Sequence, residues 1–503
     1  MTRSVGVRHR RALSVLVVGL VLSISLSACG SRLTGSALSI AKGSSSSSGT
    51  GTGTRGDSDG TGSGLTSAAN SASAAAAQST AGGSSPTGAT GAAAAPTASS
   101  GAGTGSSGGT SAGLTSSSCN SSNNGGATDT GVTANSITIG NIASISGVVP
   151  GLTESAQDAT EAFADYVNSE GGICGRQLKV QTFDDGSDAT TNAADAQQAC
   201  QSDFALVGSA SGFDNGGASA VQSCGIPDVA AELSTHEMGE VPNAFGASPG
   251  NAQYWPLGAA QWLKATYPSA IAHAAMIYLN VPATQEQATS EMQAYQSVGF
   301  NYVYSVAVSP TEPNYAPYVA KMQADGVQYV TEYSDDDSAA RLVQAMAQAN
   351  YHPQVVDWFA EEYTPQFLSE SQGDANGDLV LMATAPYEEA SSNPGMQLFM
   401  SWMSRVAPGF THDIFAEFAW SAGLAFLQAA QAVGPHLTRA ALIAQLQKIG
   451  SWNGGGVQPA DENFGQKIPS NCFSYFKISG NAFTRVYPTQ PNSYDCSGGL
   501  YHF

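Results

Sequence analysis

The feature that most constrains this chain is an alternation that runs twice. Short apolar runs end in loops of glycines and hydroxyls, segments with helical spacing follow, and the series then starts again. Asp203–Gly217, read as DFALVGSASGFDNGG, is the clearest unit. Phe204-Ala205-Leu206-Val207 reads as a buried strand, the loop that follows is small and polar, and a helix-compatible stretch begins at Gly217. Such units in series build parallel sheets covered on both faces, and open sheets of that kind hold ligands at the carboxyl ends of their strands. Backbone N–H groups at a helix start carry partial positive charge, so this loop can accept a carboxylate without an arginine.

In the first series Ser136–Gly140 alternates as a strand. Ala156–Asn168 then carries Ala159, Phe163, Tyr166 and Val167 at helical spacing, and Gly171-Gly172 stops it. Gln177–Phe183 reads as a strand, Thr191–Ala199 as a helix, and Gly225–Ala231 as a fourth strand. The second series reads as helix Trp255–Lys264, strand Ala274–Leu279, helix Gln285–Gly299 and strand Tyr302–Val308. Helix Tyr315–Asp325, strand Val327–Tyr333, helix Ala339–Asn350 and strands Val355–Phe359 and Leu379–Thr384 complete it. Helices Phe415–Val433 and Thr438–Ile449 come late, and Cys472–Ile478 with Phe483–Tyr487 forms a terminal hairpin. The fold class is α/β, with two doubly wound parallel-sheet lobes and a cleft between them. Residues 131–254 and 385–455 are assigned to lobe 1, and residues 255–384 and 456–503 to lobe 2.

The first quarter of the chain is of another kind. Residues 1–28 read as a secretory signal: Arg3, Arg8, Arg10 and Arg11 make a basic start, and Leu13–Leu26 is an apolar stretch short for a membrane span. It ends in Leu26-Ser27-Ala28-Cys29, which looks like a bacterial lipobox, making Cys29 a lipid-attachment site. The expected location is therefore the outer face of the cytoplasmic membrane, with contact to the membrane through the lipid alone. Residues 29–130 are almost wholly Ser, Gly, Ala and Thr, too poor in apolar groups to offset the entropy of ordering. As a flexible coil this linker spans roughly 55 Å. Nearly all the acidic groups lie beyond it, and the net charge of −21 argues against nucleic acid and anionic lipid as partners of the folded part.

With Cys29 set aside, six cysteines remain, an even number in an exported chain, so three disulfides are expected. Cys472 and Cys496 flank the terminal hairpin, Cys200 and Cys224 bracket the key unit, and exclusion leaves Cys119 with Cys174. Six cysteines permit about fifteen pairings, so this is one arrangement among several. No CxxC or Cys/His cluster suggests a metal, and no P-loop suggests a nucleotide cofactor.

Four segments together resemble a known family. They are Ile137–Gly147 with the passage Asn168–Arg176 (NSEGGICGR), Leu206–Gly212 with Gly225-Ile226-Pro227, Asn314–Val330, and Ala416–Leu424. In order and spacing they resemble the type I periplasmic substrate-binding proteins, in particular the branched-chain amino-acid receptors of ABC importers, over residues 132–490. The resemblance implies two lobes joined by a three-stranded hinge, a small amino-acid-like or carboxylate ligand captured by closure, and ABC permease subunits as partners. It implies Ser209 and Ser211 as carboxylate donors, with Ser234 and Thr235 beside them. Glu361 takes the place of an ammonium-pairing carboxylate, with Glu362 one residue away, and Asp335 and Asp336 stand where the family often has a tyrosine.

The chain departs from the family in three places. The Ser/Gly loop is one residue short, Leu152 replaces an expected aromatic, and an acidic run, Ser334–Asp337, replaces the tyrosine. A purely aliphatic amino acid therefore fits less well than a polar or cationic zwitterion. Bland readings stand beside each site: Ser209 and Ser211 as turn-formers, Asp335–Asp337 as a solvated helix start, Glu361 as a surface carboxylate.

Enzyme motifs are weak. Gly208–Gly212 has alanine where a nucleophile elbow needs serine, and His236–Glu240 lacks the second histidine of a zinc helix. Asp374–Asp378 lacks the glycine and glutamate of a calcium loop. The expected class is a binding protein and not an enzyme. The alternative is a ligand sensor of the same fold that signals to a partner protein.

Overall fold

The computed structural model describes residues 119–251 and 253–503. The signal at 1–28, Cys29 and the tract up to residue 118 lie outside the described residues. Among the described residues no helix is long and apolar enough to cross a membrane.

Lobe 1 opens with β1 (Ser136–Ala143), α1 (Glu154–Ser169), β2 (Gln177–Asp184), α2 (Ala189–Ser202) and β3 (Ala205–Val207). It continues through α3 (Ala218–Cys224), β4 (Asp228–Ala230), α4 (His236–Gly239) and β5 (Ala244–Gly246). Its five strands are all parallel, in the order β2-β1-β3-β4-β5. Ile137 and Ile139 of β1 are fully buried, as a strand covered on both faces requires. Asn141 in the same strand is buried too, and its amide donates to Val207 O (3.1 Å) and to Thr160 Oγ1 (3.0 Å).

Lobe 2 follows as β6 (Tyr254–Pro256), α5 (Gly258–Thr266), β7 (Ala274–Leu279), α6 (Pro282–Val298), β8 (Tyr302–Val308), α7 (Ala316–Ala324) and β9 (Tyr329–Tyr333). Next come α8 (Asp336–Gln348), β10 (Val355–Trp358), α9 (Pro365–Glu370) and β11 (Leu379–Met382). The chain then forms α10 (Pro394–Val406), α11 (Ile414–Val433) and α12 (Arg439–Leu446), and finishes with β12 (Ser474–Ile478), β13 (Phe483–Tyr487) and β14 (Leu500–His502). The second sheet runs β13-β12-β11-β10-β9-β7-β8, parallel up to β11, after which β12 and β13 add antiparallel. Within it β8-β7-β9-β10-β11 repeats the strand order of lobe 1.

Helix α11 is apolar around its whole circumference, so it must be buried on every side. It packs against α1 and against β3 and β4 of lobe 1. Gly423 makes the close approach to α1 possible, since a Cβ there would lie 2.5 Å from the Phe163 ring. Three segments pass between the lobes, at about residues 247–257, 383–386 and 467–473. Short contacts link the flanks of these crossings: Ala385 N donates to Val457 O (2.8 Å), Gln458 Nε2 to Ala247 O (3.1 Å), and Asn251 Nδ2 to Lys467 O (2.7 Å).

Three readings of the chain need correction. Residues 456–466, assigned to lobe 2, stay with lobe 1, where Phe464 stacks on Phe245 and Gln458 Nε2 donates to Ala247 O. Trp255 is not helical: it lies in β6, paired with β14, and the helix starts at Gly258. Pro256 accounts for this, because a proline pushes the residue before it toward extended backbone. Helix α10 was not foreseen; Asn393 caps it by accepting from Gly395 N and Met396 N, and it buries Met396, Phe399 and Met403.

All three disulfides have the expected partners: Cys119–Cys174, Cys200–Cys224 and Cys472–Cys496. The first is reinforced by Arg176, whose fully buried guanidinium donates to Thr133 O (2.8 Å), Gly126 O (2.8 Å) and Asn124 O. Together they bolt the stretch from 119 to 133 onto lobe 1.

Candidate functional site

In each lobe the strand order reverses beside the first strand, between β1 and β3 in lobe 1 and between β7 and β9 in lobe 2. Loops diverge at such switch points and leave a crevice at the strand ends. A cavity of about 610 Å³ lies between the lobes, lined by the loop that follows β1 and by the loops that follow β8, β9 and β10. That is within the usual range for a small-molecule site, about 300–1,000 Å³. Lobe 1 contributes the loop 148–152, the first turns of α1 and the segment 407–415. Lobe 2 contributes the loop 310–313, the tip of β9 through Asp337, Arg341, Glu361 and Thr364.

The cavity is acidic. Glu154, Asp158 and Asp413 face it from lobe 1, and Glu312, Asp335, Asp336, Asp337 and Glu361 from lobe 2, against the single cation Arg341. Burial, with Glu154 and Glu161 nearby, pushes Asp158 up to about 6. Burial raises Asp336 to about 7, with Glu370, Asp335 and Asp413 adding to the effect while Thr364 Oγ1, donating at 2.7 Å, opposes it. Burial also holds Glu361 well above the usual range, helped by Glu232 and Glu291, and its Oε2 meets no donor among the described residues.

Behind this cavity, toward the crossings, is a smaller apolar chamber of about 70 Å³. Trp255, Tyr333, Phe359, Ile414, Phe418 and Phe473 wall it, and Glu232, Ser234, Thr235 and His236 edge it. Beside it the lobes touch directly. Gln287 Nε2 donates to Glu232 Oε1 (2.7 Å), His236 N to Glu286 Oε2 (2.5 Å), and Ala283 N to Gly212 O (3.2 Å).

The residues singled out from the sequence fall in three places. Glu361 and Asp335 line the large cavity, although Asp335 also caps α8, accepting from Ser338 N (3.0 Å) and Ser338 Oγ (2.9 Å). Ser234 and Thr235 edge the inner chamber and are tied to Asp214, which accepts from Ser234 N (2.7 Å) and Thr235 Oγ1 (2.6 Å). Ser209 and Ser211 line neither space. They border a void of about 20 Å³ inside lobe 1. Ser209 Oγ accepts from Ile142 N (3.2 Å). Ser211 Oγ donates to Asp185 and accepts from Phe213 N (2.9 Å). Gly208, with φ of +68°, sets this turn, and a Cβ there would lie 2.2 Å from Thr160 Oγ1.

Asp158, Glu154, Asp413 and Arg341 were not anticipated. For α1 a signal existed, since Glu154, Asp158 and Glu161 fall on one face at i, i+4 and i+7. Asp413 had none: Ser155 Oγ donates to its Oδ1 at 2.7 Å from 258 positions away. Among the described residues no group of three or more His, Cys, Asp and Glu side chains is placed to hold a metal ion.

Residues 136–481 match the sequence profile of the family described as periplasmic binding protein. Among solved structures the chain is similar to a fatty acid ABC transporter substrate-binding protein from Thermomonospora curvata. The identity is 18%, the alignment covers 71% of this chain and 93% of that one, and the TM-score is 0.61. It is similar to the branched-chain amino acid transporter substrate-binding protein LivJ from Streptococcus pneumoniae in complex with isoleucine, at 14% identity, 70% and 100% coverage and TM-score 0.57. A solute-binding protein from R. palustris in complex with benzoate is similar at 15% identity, 70% and 95% coverage and TM-score 0.57. No curated protein matches the sequence.

Proposed function

The chain belongs to the periplasmic binding protein family, whose members capture solutes outside the cytoplasm without transforming them, and from that premise we propose that it is the lipid-anchored receptor of an ABC importer. Its two lobes enclose a small amino-acid-like ligand, and the closed form is what permease subunits meet. The observation that carries this reading is the cavity of about 610 Å³ walled by both lobes, at the loop that follows β1 and the loops that follow β8, β9 and β10. A ligand there touches both sheets at once, so its binding energy favours closure, as in hinge-bending receptors. Eight carboxylates against one arginine favour an amine-bearing solute over a plain carboxylate.

In this reading Cys29 carries the lipid and the tract ahead of residue 119 is the tether, since residues 119–130, assigned to the linker from sequence, are held on lobe 1. Glu361 and Asp335 face the ligand, Ser234 and Thr235 brace the inner chamber, and Ser209 and Ser211 shape lobe 1. The solved structures named above are a fatty acid ABC transporter substrate-binding protein and two solute-binding proteins in complex with isoleucine or benzoate, which supports the importer role and leaves the ligand class to this chain's own side chains.

A thermal-shift screen of amino acids, amides, amines and aromatic acids tests the reading. A ligand bound at 100 times its Kd stabilises the fold by about 2.7 kcal/mol, a clear rise in Tm. Glu361→Ala is expected to weaken a hit at least about tenfold; unchanged affinity would remove Glu361 from the site.

A further inference from the structure

Building on the solute-receptor reading, we propose that the captured solute carries two positive charges. One ammonium meets Glu361, and a second cationic group lies between Asp158 of lobe 1 and the Asp335–Asp337 run of lobe 2. The class is an aliphatic di- or polyamine, or an amino acid with a cationic side chain.

The charge balance of the cavity is the first ground. Carboxylates reach it from both lobes, and the one cation, Arg341, spends Nη2 on Ser338 Oγ at 2.9 Å, next to the cap residue Asp335. Among the described residues the ion pairs are Lys321–Asp325 and Arg485–Glu389, and neither borders this cavity. Eight carboxylates therefore crowd together with Arg341, beside Asp335, as their one countercharge, an arrangement that a cationic solute relieves.

The second ground is independent of the cluster. Glu361 is half-buried on the cavity wall, and its Oε2, shielded from solvent, has no donor among the described residues. A buried acceptor left without a donor costs about 1–3 kcal/mol, which a ligand ammonium recovers. Glu361 answers for one charge only; Asp158, Asp336 and Asp413, across the same cavity, need another. Arg341 Nε also lacks an acceptor among the described residues, and it separates the two members of the class. An amino acid would place its carboxylate there, whereas a polyamine has nothing to offer it.

The groups around each acid fix the pH dependence. Asp158 faces Glu154, Glu161 and Asp413; Asp336 faces Asp335, Glu370 and Asp413; Glu361 faces Glu232, Glu291 and Glu362. With Asp158 near 6 and Asp336 near 7, protons compete with a cation as pH falls, so affinity drops from pH 8 to pH 5.5.

Calorimetric titration of the full-length chain tests this with putrescine, spermidine, L-lysine and L-arginine against L-leucine, L-isoleucine and benzoate. At least one dication is expected to bind about tenfold or more tightly than every neutral or anionic probe, with a comparable loss at pH 5.5. Asp158→Asn with Asp336→Asn should cost the dication about tenfold or more, while the unliganded Tm holds or rises because repulsion is relieved. Arg341→Gln should weaken lysine or arginine and spare spermidine. Leucine, isoleucine or benzoate binding as tightly as the best amine would overturn the charge inference and leave the receptor reading standing. So would a dication unaffected by the double amide variant. Silence from every probe would bring down both.

Discussion

At the tip of β3 in lobe 1 both serine hydroxyls already have partners inside the lobe, whereas at the tip of β9 in lobe 2 the carboxylates look into open space. The two places are equivalent in topology, since each follows the third strand of the same 2-1-3-4-5 order. Their chemistry has diverged. In lobe 1, Asp185 accepts from Ser144 Oγ (3.0 Å), Asn192 Nδ2 (3.0 Å), Ser187 N (2.9 Å) and Ser211 Oγ, so the loops there are fixed by their own network. In lobe 2 burial holds the carboxyls of Asp335 and Asp336 above their ordinary range, although Ser338 and Thr364 donate to them. One strand end is fixed by an internal network, and the other borders a cavity lined with carboxyls.

The sharpest way to break this contrast is Asp185→Ala. It strands four donors in the interior and is expected to lower stability by about 3 kcal/mol in urea unfolding. A loss below about 1 kcal/mol would show that the network is dispensable. Replacing Cys200 and Cys224 with serine opens a 24-residue separation in the same lobe and should cost about 2–3 kcal/mol, leaving ligand affinity within about twofold.

Lobe 2 predicts an effect of the opposite sign. Asp336 has a carboxyl near 7 in the fold against an ordinary value of 3.8 when unfolded, so between those values the folded chain holds the extra proton. Stability is then present at low pH and is lost as pH rises through this window. The unliganded Tm is expected to be about 3 °C higher at pH 5 than at pH 7.5, and Asp336→Asn should flatten the slope. A Tm that rises with pH over this range would contradict the assignment. The smallest effect is Ser211→Ala, worth about 1 kcal/mol in stability and less than about twofold in affinity.

The strands at 137–140, 204–207 and 274–279 were legible because a strand covered on both faces is a continuous apolar run with glycine or polar residues at its ends. The repeated series gave both sheets for the same reason. Helix α10 escaped because its buried stripe of Met396, Phe399 and Met403 is interrupted by Ser401 and Ser404 and follows an Asn-Pro that reads as a turn. For the site, Glu361 and Asp335 were reached through the family resemblance, and the structure puts both in loops that follow strand ends and on the cavity. A hydroxyl at a strand end points inward or outward according to what lies beneath it. For Ser211 that is Asp185, 26 positions earlier, which local pattern does not reveal. Asp413 and Asp158 meet only through tertiary packing of α11 on α1.

The bolted stretch at Cys119–Cys174 and Arg176 decides where force enters the molecule. Any tug on the chain ahead of residue 119 is absorbed by a covalent cross-link and a buried guanidinium in lobe 1 before it reaches the crossings. Lobe 2 joins lobe 1 only through the crossings, so a pull on the chain ahead of residue 119 does not pass through it.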